Sequence, residues 1–439
     1  MYDVAVVKYE KPLESLRKAV DLAGGFGRLS SNSKVFIKPN FCLWHRGIVF
    51  PRYGVLTTAR MVEDVVVLLK EHGVEDITLV EGIVEIDVED RSMLDLVVEG
   101  MGLDKLTKRY GVKFIDVLRG SFTRVTAGDM PLSVNRDILE ADYTVNMPVL
   151  KTHSQTMVSL GIKNLKGLLS IPSRKRFHNR KEDVDLNYNL ARLPGIISPS
   201  INIADGIYTL ERGPLYTGAA HRSDIILVSQ DLISADKVGS TLLGIEPRTV
   251  PHIAHAARNN GRPVDLSDVN IKGGLDITTL LKPHNWEFEQ NEAGDLPMFF
   301  ERVGIKGITY PQADTTMCTY CADFILYVIM GILSARNREQ TFDDIEVLHG
   351  KIKDPHAGHK HTLLVGQCQV KRNANNPLIN HCVKINGCPP SRKDLVRAYE
   401  ELGIELPDDF MERMARHPTT FTRKYEGKPE FDDSFYLID

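Results

Sequence analysis

The sequence predicts an α/β fold: a mostly parallel or mixed sheet covered by helices, followed by a cysteine-bearing α+β segment at the C-terminal end. Three observations carry that expectation. Short apolar runs alternate with amphipathic stretches over residues 1–270. Those runs are nearly continuous in Val, Ile and Leu, as in strands buried on both faces. From residue 311 onward the pattern changes, and four of the six cysteines fall between 318 and 388. The expected organisation is an α/β domain over 1–270, an irregular connection over 271–310 and a metal-binding domain over 311–439.

Strands are expected at Val4–Val7, Val35–Lys38, Ile77–Val80, Phe114–Val117, Tyr143–Met147, Ile201–Ala204 and Ile225–Val228. Helical periodicity marks Leu13–Ala23, Thr57–Glu71 and Ile233–Leu243 between them. The connection is read from Pro283-His284-Asn285-Trp286 and from Gln290–Gly294. Beyond it a helix is expected at Thr319–Arg336, strands at Ile345–Leu348, Thr362–Val365 and Cys382–Ile385, and a helix at Ser391–Leu402. No repeat or low-complexity tract interrupts the chain.

Ligands in open α/β sheets bind beyond the carboxyl ends of strands. Polar residues with Gly or Pro recur there: Lys38-Pro39-Asn40, Glu81-Gly82, Lys151-Thr152-His153 and Asp205-Gly206. Such residues also cap strands and helices in any protein, so it is the set that points to a shared face. The stretch 151–181 contains no Asp or Glu, although the 439-residue chain has a net charge of −4. Lys151, Lys163 and Lys166 supply cations, and Thr152, Asn164 and Asn40 supply directional groups for an anionic small molecule. Lys163 and Lys166 interrupt the apolar Leu160–Leu169 segment, where a lysine needs a partner or a ligand. Arg174–Lys181 reads as a solvated basic loop. His153 and His178 are acid–base candidates, and Asp205 is placed to orient a lysine or histidine. Walker and dinucleotide glycine motifs are absent.

Cys318-Thr319-Tyr320-Cys321 offers two thiolates from one turn. Cys368 follows after 46 residues, and Cys388 after a further 19. Four-cysteine zinc sites usually carry two tight pairs, and here one pair is tight. Isolated cysteines in Val365-Gly366-Gln367-Cys368 and Gly387-Cys388-Pro389 are closer to the ligands of a [4Fe–4S] cluster, so zinc is the alternative cofactor. Cys382 is a substitute for Cys368. Cys42 is either a small buried hydrophobe or a redox thiol or substrate anchor. A disulfide framework belongs to short, secreted, cysteine-dense chains and does not fit this one.

Lys38-Pro39-Asn40, Lys151-Thr152-His153, Val158–Gly167 with its Lys163-Asn164-Leu165-Lys166-Gly167, Asp205-Gly206, Gly213-Pro214, Asp231, Asp236 and Gly244 resemble the family called domain of unknown function 362. The resemblance covers roughly residues 4–270. The tail ending in Gly387-Cys388-Pro389-Pro390 is similar to tails of longer members described as iron–sulfur proteins. The resemblance implies an α/β fold, an iron–sulfur centre and no settled reaction. The compact four-cysteine ferredoxin run of some relatives is missing here.

A composition of 42% hydrophobic and 26% charged residues is that of a globular protein, and the charge balance gives no footprint for nucleic acid. The start, Met1–Val7, reads as a strand instead of a signal peptide, and the longest apolar run, Phe324–Leu333, is too short for a membrane span, so a cytoplasmic location is expected. The functional expectation is an iron–sulfur oxidoreductase or electron-transfer enzyme, with its cluster folded against the main sheet and a redox partner protein. Its site pairs Lys151, His153 and Lys163 as catalytic residues with Lys38, Asn40, Thr152, Asn164, Lys166, His178 and Asp205 as binding residues. The alternatives are a non-redox lyase or transferase with a structural metal, and a cluster carrier.

Overall fold

The computed structural model describes residues 1–42, 52–84, 92–128, 130–335, 341–412, 421 and 423–439. The chain divides into two compact units. The first comprises Met1–Phe177, Asn187–Trp286 and Pro418–Asp439, and the second His178–Leu186 and Glu287–His417. The units therefore do not follow the chain in simple order: the C-terminal residues 423–439 group with the first.

In the first unit the strands are β1 (Tyr2–Lys8), β2 (Val35–Pro39), β3 (Ile77–Glu81), β4 (Lys113–Asp116), β5 (Phe122–Ala127), β6 (Met130–Asn135), β7 (Tyr143–Met147), β8 (Val149–His153), β9 (Met157–Ser159), β10 (Ile201–Glu211), β11 (Ala219–Ser229) and β12 (Val269–Lys272). A ten-stranded sheet runs β12-β1-β11-β10-β7-β2-β3-β4, with β8 paired to β10 and β9, while β5 and β6 form a separate hairpin. Neighbours from β10 through β7, β2 and β3 to β4 are parallel, and β11 is antiparallel to both β1 and β10. Strands β2, β3, β7 and β8 are buried at every position, which explains their apolar runs and means that the polar Lys38, Glu81, Asn146 and Lys151 within them need partners inside the protein.

Every strand and helix expected over 1–270 is present, with two corrections that matter for the site. β10 does not end at Ala204. It continues through Asp205-Gly206 to Glu211 with an irregularity between Gly206 and Tyr208, because Asp205 turns its carboxylate inward on Thr58. Lys151-Thr152-His153 likewise lies in a strand, not in a loop after one. After Pro148 the chain re-pairs with β10 and with β9, whose Met157, Val158 and Ser159 face His153, Thr152 and Lys151. Arg174 is a third correction. It sits buried in the helix Ile171–Phe177, donating to the carbonyls of Leu169 (2.8 Å), Gly82 (2.6 Å) and Gly167 (2.5 Å).

Helix starts follow local capping. Thr58 accepts from Met61 N at 3.3 Å before Ala59–Glu71, and Asp231 accepts from Ser234 N at 2.7 Å before Leu232–Leu242. The returning tail packs Phe431 and Tyr436 around Tyr53 and Tyr208, with ring centroids 5.0–5.9 Å apart. Buried Tyr436 also accepts from Gly54 N at 3.1 Å.

The second unit is built on a four-stranded parallel sheet: β13 (Lys306–Thr309), β14 (Thr341–Leu348), β15 (His361–Val365) and β16 (Cys382–Ile385). The helix after the cysteine pair spans Thr319–Ser334, and its expected end at Arg336 lies outside the described residues. The connection expected to be irregular contains the short helix Met298–Arg302 and β13. Among the described residues, no helix is long and apolar enough to cross a membrane.

Candidate functional site

The strand ends of the first unit hold a buried polar network. Lys38, at the end of β2, is 1% exposed and pairs with both carboxylate oxygens of Glu81 at the end of β3, each at 2.9 Å. It also donates to Pro39 O at 2.7 Å and Asn164 Oδ1 at 3.3 Å. Glu81 in turn accepts from the backbone of Phe41 and Gly82, both at 2.8 Å. Parallel register places Lys38 beside Asn146 of β7. Asn146 Oδ1 accepts from Asn164 Nδ2 at 2.9 Å, and Asn146 Nδ2 donates to Asn202 Oδ1 at 3.0 Å. No room is left over: a Cβ on Gly167 would come within 3.0 Å of Glu81 Oε1 and of the end of Lys38. In this network Lys38 and Asn164 hold three strands and a turn together.

The turn is held from outside the motif. Asp236, buried in the helix Leu232–Leu242, accepts from Gly161 N (2.7 Å) and Ile162 N (2.8 Å), the two amides that open the Lys163-Asn164 turn. Burial pushes its carboxyl up to about 7, against the pull of those two amides. Asp205 is equally occupied, accepting from Thr58 N and Oγ1 at 2.7 Å and from Ile207 N at 3.0 Å.

Beside this network Lys151 is 1% exposed and donates to Val55 O at 2.6 Å, Pro214 O at 3.4 Å and Cys42 Sγ at 3.6 Å. Thr152 is spent on Leu210 O and Asn285 O, both 3.3 Å away, and accepts from Gly213 N. His153 Nδ1 accepts from Gln155 N at 3.1 Å. Lys163 differs from all of these. Among the described residues its amine has no hydrogen-bond or ion-pair partner, and burial and the Lys151 charge draw it down to about 8. Asn40 donates its backbone N–H to Thr57 Oγ1 at 2.8 Å, while its buried Oδ1 has no hydrogen-bond partner among the described residues. Lys166 is half-buried on the turn after Asn164. His178 belongs to the second unit, with Nδ1 against Thr315 O at 2.8 Å, so it does not join the lysine group.

Cys42 is exposed, which excludes the reading of a small buried hydrophobe. Lys38, Lys151 and Lys163 all lie within its electrostatic reach. Residue-by-residue reading passed over Glu81, Asn146 and Asp236 as ligand-site members, although each had a signal: a polar residue inside or just ending an apolar element.

In the second unit Cys318 and Cys321 share one helix start, and Cys368 and Cys388 lie within electrostatic reach of Cys321. Cys318 is the residue preceding the helix Thr319–Ser334, and Cys321 lies in its first turn. The thiol of Cys321 donates to Cys318, so Cys318 is drawn below the ordinary thiol range and the half-buried Cys321 is pushed above it. Cys368 and Cys388 act on Cys321 in the same upward direction by charge. The backbone explains the approach. Gly366 N donates to Ile385 O (2.7 Å) and Gln367 N to Gly387 O (2.9 Å), clipping the Cys368 turn to the Cys388 turn. Gly366 has φ 86°, and a Cβ there would lie 2.9 Å from Cys321 Sγ, so glycine serves both the conformation and the space. Cys382 responds to Lys384 and Glu401 instead and is not part of this group.

None of the six cysteines is in a disulfide. Among the described residues, no three His, Cys, Asp or Glu side chains stand as a ready metal-ligand cage. The four thiols thus share a neighbourhood without a preformed cage. Their chemistry, four soft sulfur donors, fits an iron–sulfur cluster or zinc in kind and number.

The thylakoid-associated protein sll1697 of Synechocystis sp. is 25% identical over 250 residues, covering 56% of this chain and 74% of its own. The lactate racemase apoprotein from Thermoanaerobacterium thermosaccharolyticum aligns with 10% identity and a TM-score of 0.35, over 55% of this chain and 57% of that one. These four cysteines lie outside the segment that a family model recognises. Residues 35–241, which carry Lys38, Cys42, Glu81, Lys151, Lys163 and Asp236, match the family described as Domain of unknown function (DUF362).

Proposed function

We propose that the protein is an iron–sulfur oxidoreductase or electron-transfer enzyme whose lysine-bearing strand ends bind an anionic small molecule. The observation that carries this reading is the clip between the Cys368 and Cys388 turns beside the Cys318–Cys321 helix start, where a Cβ on Gly366 would lie 2.9 Å from Cys321 Sγ. Four thiolates saturate the irons of a [4Fe–4S] cluster, and such a cluster supplies single electrons without binding substrate itself. The protein's part is to hold the sulfurs at turns and a helix start, where the backbone N–H groups of Tyr320 and Cys321 donate to Cys318 and favour its thiolate. In the other unit, of Lys38, Lys151 and Lys163, it is Lys163 whose amine has no partner among the described residues, since Lys38 and Lys151 are spent on protein oxygens.

Anaerobic purification of the full chain, with iron and sulfide reconstitution, tests the reading. The expected product is brown, contains iron and acid-labile sulfide in equal amounts, and bleaches on reduction. Replacing Cys318 or Cys368 with Ser should remove most of the iron. A colourless protein with one tightly held zinc overturns the proposal.

One observation favours the second reading, a non-redox lyase or transferase: an amine drawn to about 8 is closer to the pKa of a working base or nucleophile than an ordinary lysine. Activity that survives full replacement of iron by zinc, yet disappears in Lys163→Met, would select it.

A further inference from the structure

We propose that Cys42 is the nucleophile of the lysine site and that its substrate is a small anionic carbonyl compound. The inference rests on the anion-binding part of the reading above and names the chemistry that part performs.

Three independent features meet at this thiol. It is exposed, whereas a cysteine kept for packing is among the most buried of residues. It receives a hydrogen bond from Lys151 Nζ at 3.6 Å, and that lysine is held in place by Val55 O at 2.6 Å. The same Val55 carbonyl lies 3.7 Å from Sγ, so the thiol and its cation share one anchor.

The groups around it are unfilled in a complementary way. Lys163 lies within electrostatic reach of Cys42 and Lys151, and its amine has no hydrogen-bond or ion-pair partner among the described residues. Two residues before the thiol, Asn40 presents a buried Oδ1 that accepts from nothing among the described residues. His252, fully buried in the helix Pro251–Asn259, has both ring nitrogens unpartnered and responds to the Lys163 charge. Buried acceptors are normally paired, so the open Asn40 Oδ1, with the half-buried Lys163 cation and the Cys42 thiol, matches a ligand with a hydroxyl or carbonyl end and an anionic end.

The chemistry balances without an oxidant. Sγ forms a bond to the carbonyl carbon, and the carbonyl π pair moves to oxygen. That oxygen takes a proton from the Lys163 ammonium, and the Lys163 amine recovers the proton released by the thiol. The product is a hemithioacetal. Burial and Lys151 draw Lys163 to about 8, which lets it give and regain a proton near neutral pH. Among the described residues, Lys151 from β8 and Cys42 after β2 act on it by charge, and it acts in turn on His252.

Competitive alkylation of the intact full-length protein tests this. Iodoacetate and iodoacetamide differ in charge at nearly equal size, and each forms an S–C bond with loss of iodide. Trypsin leaves Cys42 in a peptide with no second cysteine, so mass spectrometry reads its two rates directly. The iodoacetate-to-iodoacetamide ratio at Cys42 should exceed that of glutathione by on the order of tenfold at pH 7. Lys163→Gln should return it to the glutathione value, and Lys108→Gln, at an exposed position, should leave it unchanged. A wild-type ratio equal to that of glutathione, or one unmoved by Lys163→Gln, overturns the inference. Iron content is scored on the same preparation. Full iron with a flat ratio strikes this inference alone, and a retained ratio without iron strikes the cysteine reading alone.

Discussion

Lys38 and Lys163 are separated by one intermediary, Asn164, yet they answer burial in opposite ways. Lys38 is enclosed with a bidentate carboxylate, a backbone carbonyl and an amide oxygen, so its charge is spent on architecture. Lys163 has its backbone placed by the same turn and its amine left without a partner. The contrast teaches that a conspicuous lysine motif mixes two jobs. The lysine with the richest set of contacts is the poorer candidate for a ligand, because releasing it would strand Glu81 in the interior.

The largest effect that would break this contrast is at Lys38. Lys38→Met leaves a buried carboxylate unpaired and should cost about 3–5 kcal/mol in urea unfolding. A loss below 1 kcal/mol would mean that the pair is not structural. Lys163→Met should move stability the other way, by about 1–2 kcal/mol at pH 7. A shift from 10.5 to about 8 corresponds to roughly 3 kcal/mol, reduced because water reaches part of the side chain. The sign follows from proton binding: below about 8 the amine is charged in both states and only the folded state pays for burying it. The advantage of the variant should be full there, shrink between about 8 and 10.5, and vanish above. Unfolding curves across that range check it, and an advantage that grew with pH would contradict the assignment.

The same contrast of contacts divides the cysteines. Cys382→Ser should leave iron content and stability nearly unchanged, the smallest effect expected here, while Cys368→Ser lowers iron content. Parallel metal analysis of the two variants sharpens the choice between the two residues, which spacing alone left open.

Local signals in the chain carried far. Apolar runs such as Val35-Phe36-Ile37 and Tyr143–Met147 marked their strands, because a strand buried on both faces must be apolar along its length. The start of the helix at Thr319 followed from its apolar run. The sequence was least legible where a polar residue inside an element had a distant partner. Asp205 looked like a strand end until Thr58, 147 positions away, claimed its carboxylate. Arg174 looked solvated until the carbonyls of Gly82 and Gly167 enclosed it.

By itself, then, the sequence determined the α/β class, the order of its elements, the acid-free 151–181 stretch and the set of candidate thiols, since periodicity and composition are local properties. Tertiary structure alone decided which lysine is left unpartnered, which later cysteines approach Cys321, and that the last residues return to the first unit. Those outcomes depend on burial and on partners far along the chain, and neither is encoded in the spacing of a motif.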